Sequence, residues 1–150
     1  MRALIQRVQS ASVSIDNKIH SSIEKGLLIF IGIEDADSDA DINWLVSKMV
    51  NLRIFNDADG VMNLSVKEIG GEVLIVSQFT LHASTKKGNR PSYIKAARPE
   101  IAIPVYQNFL SEIEELLPQK IFSGVFGADM KVSLINDGPV TIMMDSKIKD

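Results

Sequence analysis

Leu27-Leu28-Ile29-Phe30-Ile31-Gly32-Ile33 is the stretch from which the fold is read. It is continuously apolar, the pattern of a strand buried on both faces. Gly26 and Gly32 punctuate it, and both faces need a cover. Upstream, Ala3 to Val8 and Ala11 to Ile15 read as two short strands. Downstream comes a helix. Ser38 or Asp39 suits its N-cap, and Ile42, Leu45, Val46, Met49 and Val50 make one apolar stripe.

Further along, Leu52 to Phe55 is expected as a strand, with Asn56 to Gly60 and Gly70-Gly71 as turns. Glu72 to Leu81 reads as a long strand, wholly apolar from Val73 to Val76. Thr85 to Ser92 carries Gly, Asn and Pro and reads as a loop. A second helix is expected from Glu100 to Leu117, with Val105, Phe109, Ile113 and Leu116 on one face and Pro118 as its stop. Lys131 to Ile135 and Val140 to Met144 are strands joined by Asn136-Asp137-Gly138-Pro139. Many strands with only two good helices predict an α+β fold rather than a doubly wound parallel sheet.

The chain has 150 residues, the size of a single domain with a sizeable core. Its composition, 45% hydrophobic and 23% charged, excludes a disordered chain. Sixteen basic against nineteen acidic residues give a net charge of −3, which argues against coating nucleic acid through bulk charge. A local basic site remains open. The chain has no cysteine, so disulfides, Cys-based zinc sites, iron–sulfur clusters and a cysteine nucleophile are excluded. Met1 to Arg7 lacks an apolar signal core, and the run Leu27 to Ile33 is far short of the roughly 20 residues that span a bilayer. The expectation is a cytoplasmic protein without a membrane partner.

Some motifs mislead. Asp35, Asp37, Asp39 and Asp41 alternate like a calcium loop, but Ala40 and Val46 stand where such a loop needs Gly and Glu. A solvated turn feeding a helix N-terminus is the expected reading. His20 and His82 have no partner at ligand spacing, so no metal and no cofactor is expected. Walker, dinucleotide-binding and Gly-x-Ser-x-Gly patterns are absent from the sequence.

Three segments carry chemistry or a plain structural role. The strand ending Ser77-Gln78-Phe79-Thr80-Leu81-His82 turns from apolar to polar; by alternation Gln78, Thr80 and His82 would share a face. It is either a site or a strand reaching the surface. Asn136-Asp137-Gly138-Pro139-Val140-Thr141 is either a tight turn or a Gly-Pro element whose cis bond redirects carbonyls. Lys86, Lys87, Arg90, Lys95 and Arg98 fall in a stretch without a single acid. Such a stretch fits phosphate binding or a merely solvated loop.

Taken together, Ser77-Gln78-Phe79-Thr80-Leu81, Gly88-Asn89-Arg90-Pro91-Ser92, Phe126-Gly127-Ala128-Asp129-Met130 and Asn136-Asp137-Gly138-Pro139-Val140-Thr141 closely resemble the D-aminoacyl-tRNA deacylase family. The resemblance runs from Met1 to Met144 in length, order and spacing. It implies a homodimer with a barrel-like core of mixed and antiparallel sheet. It also implies hydrolysis of the ester joining a D-amino acid to the terminal adenosine of tRNA, with mischarged glycine accepted too. Gly138 and Pro139, joined by a cis bond, would serve as the chirality filter in the partner's pocket: carbonyls hold the α-ammonium and leave no room for an L side chain. The resemblance makes Gln78, Phe79 and Thr80 catalytic, and places Ser77, Phe126 and Met130 against the substrate. Lys86, Lys87 and Arg90 would meet the tRNA.

Ester hydrolysis requires a stabilised oxyanion; the amides near Phe79 and Thr80 and the Gln78 side chain are candidates. Thr80 as nucleophile would need a base, and His82, about 7 Å along a strand, is too far. In the family picture the ribose 2′-hydroxyl assists a water instead. A non-catalytic RNA-binding module is the alternative function; it needs the basic loop but neither the polar strand end nor the Gly-Pro element.

Overall fold

The computed structural model describes residues 1–149. In chain order the elements are β1 (Arg2–Ile15), β2 (Lys18–Ile23), β3 (Gly26–Gly32), α1 (Asp39–Asn51), β4 (Phe55–Asn56) and β5 (Met62–Leu64). Next come β6 (Glu72–Ser77), a 3-10 helix (Phe79–His82), α2 (Pro99–Leu116), β7 (Ile121–Ser123) and β8 (Lys131–Asp145).

The apolar run sits where its composition demands. β3 is hydrogen-bonded antiparallel to β1 and parallel to β6, and its two faces feed two cores. Leu27, Ile29 and Ile31 pack toward the helices with Ile42, Leu45, Met49, Phe109 and Ile113. Leu28 joins Val8, Val13, Leu74 and Val76 inside the curled sheet. A residue period of two therefore divides one unbroken hydrophobic string between two compartments.

Parallel neighbours need crossovers, and the two helices supply them: α1 lies between β3 and β6, α2 between β6 and β7. The sheet runs β2-β1-β3-β6-β7, with β8 along the other side of β1. It curls until Ser21 Oγ of β2 donates to the carbonyl of Ser123 in β7 at 3.0 Å. The result is an α+β domain with a nearly closed barrel-like sheet, as expected.

Several boundaries differ from the expectation. β1 is one strand of 14 residues, and β2, β5 and β7 add strands the sequence did not announce. Leu52 to Ile54 stay outside β4. In α2 the buried stripe is Ala102, Tyr106, Phe109 and Ile113; Leu116 is exposed and Val105 only half-buried. The helix starts at Pro99, and its inward line passes through the small Ala102 rather than Val105.

The aspartate run is a solvated turn only in part: Asp35 and Asp39 are exposed, but Asp37 and Asp41 are not solvated. The Asp37 side chain is fully buried and ion-paired with the Met1 ammonium. Asp41 is also buried and accepts from Ser38 N–H, Ser146 Oγ and Lys147 Nζ. Burial alone would raise the Asp41 pKa, but the hydrogen bonds from Lys147, Ser146 and Ser38 together hold it well below the usual carboxylate range. Charge partners from both ends of the chain make that burial tolerable.

Candidate active site

β6 leaves the sheet at Ser77. Gln78 has φ −146° and ψ 84°, and the next four residues coil into the 3-10 helix instead of continuing the strand. The alternation that put Gln78, Thr80 and His82 on one face therefore does not hold. Glycine underneath explains how the coil fits. A Cβ on Gly32 would lie 2.9 Å from Leu81 Cβ, 3.0 Å from His82 Cδ2 and 3.1 Å from the Gln78 carbonyl. Only a bare backbone lets the turn rest on β3.

At its start the turn is tied to β3 by Gln78 N–H donating to the Ile31 carbonyl at 2.7 Å. The first amide to find an acceptor inside the turn is that of Leu81, at 3.2 Å from the Gln78 carbonyl. The amides of Phe79 and Thr80 precede it and have no helical acceptor. Gln78 Nε2 donates to Thr80 Oγ1 at 2.5 Å.

Beside the turn opens a pocket of about 330 Å³. Ser77, Gln78 and Phe79 line it from one side, Phe126 and Met130 from another, over a floor that includes Ile31 and Ala102. Five residues expected at the site are thus brought together. Thr80 sits next to them through Gln78. Phe79 stays more than half exposed, and its ring meets Tyr93 edge-on, with centroids 5.1 Å apart. Asp129 at the rim is paired with Lys131 at 2.8 and 2.9 Å.

Lys86, Lys87 and Arg90 are exposed on a loop pinched shut at its base. There, Ser84 and Ser92 exchange backbone hydrogen bonds of 2.8 and 2.9 Å. His20 is exposed, whereas His82 is buried, with its Nε2 lacking a hydrogen-bond partner. Among the described residues no group of three or more His, Asp or Glu side chains is arranged to hold a metal.

The Gly-Pro segment is neither a hairpin turn nor the end of a strand. β8 runs through it, and the Gly138–Pro139 bond is cis. In the pairing with β1, Gln6 faces Thr141 while Val8 faces Asn136, so Asp137 to Val140 bulge out opposite Arg7. Asn136 closes the bulge: its Oδ1 accepts from Val140 N–H at 2.8 Å and its Nδ2 donates to Thr141 Oγ1 at 3.1 Å. Gly138 has φ +138°, and a Cβ there would sit 2.9 Å from Arg7 Nη2.

Arg7 is the residue sequence reasoning missed. Its Nε donates to the Asp137 carbonyl at 2.8 Å and its Nη1 to the buried Ile54 carbonyl at 2.6 Å. The signal was present: Ala3, Ile5 and Arg7 share the inward face of β1, where an arginine must have a purpose. Within this chain Gly138 and Pro139 are exposed and do not line the pocket.

A pocket with an apolar floor and an amide-bearing turn at its rim suits an acyl-ester hydrolase, which must hold a carbonyl and stabilise its oxyanion. The model of the D-Tyr-tRNA(Tyr) deacylase family matches residues 4–145, and the chain belongs to that family. It is 67% identical, over the full length of both chains, to the D-aminoacyl-tRNA deacylase of Flavobacterium psychrophilum. It is 61% identical, again over the full length of both, to that of Bacteroides thetaiotaomicron. Among solved structures, the c-Myc DNA unwinding element binding protein superposes with a TM-score of 0.93 at 39% identity, covering 97% of this chain and 98% of that one. A probable eukaryotic D-amino acid tRNA deacylase shares the fold, with a TM-score of 0.81 at 18% identity.

Proposed function

We propose that the pocket beside Phe79 is where this chain, a D-aminoacyl-tRNA deacylase, cleaves the ester between a D-amino acid and the tRNA 3′ end. The amides of Phe79 and Thr80, with the Gln78 side chain, face the developing oxyanion. Water, assisted by the ribose 2′-hydroxyl, attacks the carbonyl carbon; the bond to the ribose 3′-oxygen breaks and that oxygen takes a proton. Ser77, Phe126 and Met130 hold the aminoacyl group, and Lys86, Lys87 and Arg90 meet phosphates. Glycine on tRNA fits the same site, since it has no side chain to exclude. No metal and no cofactor enters the reaction, and a tRNA substrate fits a cytoplasmic location. No helix of the described residues is long and apolar enough to cross a membrane.

The protein acts as a homodimer in which Gly138 and Pro139 of one subunit complete the pocket of the other. The observation that carries this is the separation along β8. Val132 lines the pocket, yet Gly138 lies six residues on, about 20 Å along a strand. An exposed, carbonyl-bearing element that cannot reach its own pocket suits a partner's. Among the described residues β8 pairs as a strand only with β1, so most of its other edge is open, flanked by exposed Leu134, Ile135 and Met143, which favours burial against a second copy.

Mixing variants tests this arrangement. Gln78→Ala damages the pocket and Gly138→Ala the filter, so each homodimer should be impaired, the first by about 100-fold and the second by about tenfold or more. Heterodimers should regain activity, because one site then combines an intact pocket with an intact Gly-Pro. No recovery on verified subunit exchange would place the filter within one chain.

A further inference from the structure

We propose that Arg2 is a positioning residue for the ester-cleaving turn, clamping the end of the 3-10 helix to β1 and β8. Its Nη1 donates to the Leu81 carbonyl at 2.9 Å, and its Nε donates to Asp145 Oδ2 at 2.8 Å. One guanidinium thus joins the last strand of the sheet to the last turn of the site, across 79 and 143 residues of sequence.

The Leu81 carbonyl needs such a partner. If the 3-10 helix continued, the amide of Ser84 would reach it, but that amide donates to Ser92 instead, at 2.8 Å. The carbonyl is one of the orphans a helix leaves at its C-terminal end, and a planar fork can satisfy it while keeping a second bond elsewhere. The backbone under the fork is fixed, since Arg2 pairs with Gly32 on one side and Asp145 on the other. Asp145 is held in turn, its Oδ1 accepting from Lys147 N–H at 2.9 Å.

The two ends of the turn are therefore anchored differently. Gln78 N–H ties the front to β3, and Arg2 ties the back to β1 and β8. Between them lie the amides of Phe79 and Thr80; Leu81 and His82 pack on Gly32, and Arg2 adds the polar tie that fixes the back end. Without Arg2 the back end keeps its packing on Gly32 and the Ala83 to Thr80 hydrogen bond of 3.0 Å, which lies within the turn; its polar tie to the sheet is gone. Arg2 does not line the pocket, so its effect reaches the substrate through the turn. A shift of about 1 Å in catalytic groups costs up to about 100-fold in rate.

The inference rests on the reading that this turn does the chemistry, and two readouts separate the two ideas. Arg2→Met keeps the bulk and removes the donors; Arg2→Lys keeps the charge and can reach one partner at a time. Amide exchange measured by NMR should speed up at Leu81 and Ala83 in Arg2→Met, with β3 amides unchanged. Single-turnover release of D-tyrosine from tRNA should slow by about 10- to 100-fold, while KM for the charged tRNA stays within about twofold, as the basic loop is untouched. Arg2→Lys should restore part of the rate, and it answers the question if Arg2→Met fails to fold. Unchanged exchange at Leu81 and Ala83 would overturn the clamp itself. Faster exchange with an unchanged rate would overturn the proposal through its premise, since the turn would then not be doing the chemistry.

Discussion

Gln78 and Thr80 are joined across the turn, the glutamine Nε2 donating to the threonine Oγ1 at 2.5 Å. An amide NH2 carries protons and cannot accept one, so the partner Thr80 has here is unsuited to activating it as a nucleophile. His82 does not supply the missing base, because it is buried at the far end of the turn. The hydroxyl instead fixes the direction of Gln78. Thr80→Val should therefore keep activity within about tenfold of wild type, whereas Gln78→Ala should lose about 100-fold, the scale of one oxyanion donor. Single-turnover hydrolysis measures both. Abolition by Thr80→Val alone would restore the threonine nucleophile.

Arg7 and Gly138 form the second relationship that can be broken. A methyl at Gly138 meets Arg7 Nη2 and Val140 Cγ2, both at 2.9 Å, at a positive φ that L residues avoid. Strain of about 1–3 kcal/mol, relieved by moving the bulge, is expected. Gly138→Ala should lower D-aminoacyl release by tenfold or more and admit some L-aminoacyl release. The two charged tRNAs assayed side by side give the answer, and unaltered rates and chirality would remove Gly138 from the site.

If the basic loop meets phosphates as proposed, it acts on affinity. Lys86→Ala with Lys87→Ala, or Arg90→Ala, should weaken tRNA binding and flatten the slope of log Kd against log salt, by about one unit for each phosphate no longer neutralised. Turnover at saturating tRNA should change less. A salt titration that leaves the slope intact would show that the loop does not touch phosphate.

Acid stability follows from the cluster around Asp41. Its carboxyl titrates lower in the fold than in the unfolded chain, so its stabilisation is complete above the unfolded value, near 4, and is lost as pH falls toward the folded one. Asp57, Glu68 and Asp145 shift in the same direction and add to that limb. Lys147 shifts up; its share is complete below about 10.5 and fades as pH rises beyond. Thermal melts should therefore fall from pH 5 to pH 2. Asp41→Asn should lower Tm at pH 7 and flatten the acid limb. A variant whose acid limb is as steep as wild type would contradict the assignment.

Strongly patterned segments were legible. Leu27 to Ile33 announced a strand covered on both faces, and the Ile42-Leu45-Val46-Met49-Val50 stripe a helix capped by Ser38 or Asp39, of which Ser38 is the cap. The family resemblance pointed to Ser77, Gln78, Phe79, Phe126 and Met130, and these five line the pocket. What was not legible depends on distant partners. Strand propensity continues past Ser77, but Gly32 beneath and the carbonyl of Ile31 turn the chain into a 3-10 helix. The residues alone leave Gly-Pro open between a turn and a cis element; Arg7 and Asn136 are seen holding it open within β8. Asp37 reads as solvated until the Met1 ammonium arrives from the other side of the fold.

The central claim is chiral ester hydrolysis at the pocket beside Phe79, and one assay tests it most directly. Purified protein is mixed with tRNA carrying D-tyrosine and, separately, with the same tRNA carrying L-tyrosine, and release of the free amino acid is followed. The account predicts rapid release of D-tyrosine, no release of L-tyrosine above the spontaneous rate, and loss of D-tyrosine release in Gln78→Ala. Equal release of both enantiomers, or full D-tyrosine release by Gln78→Ala, would contradict it.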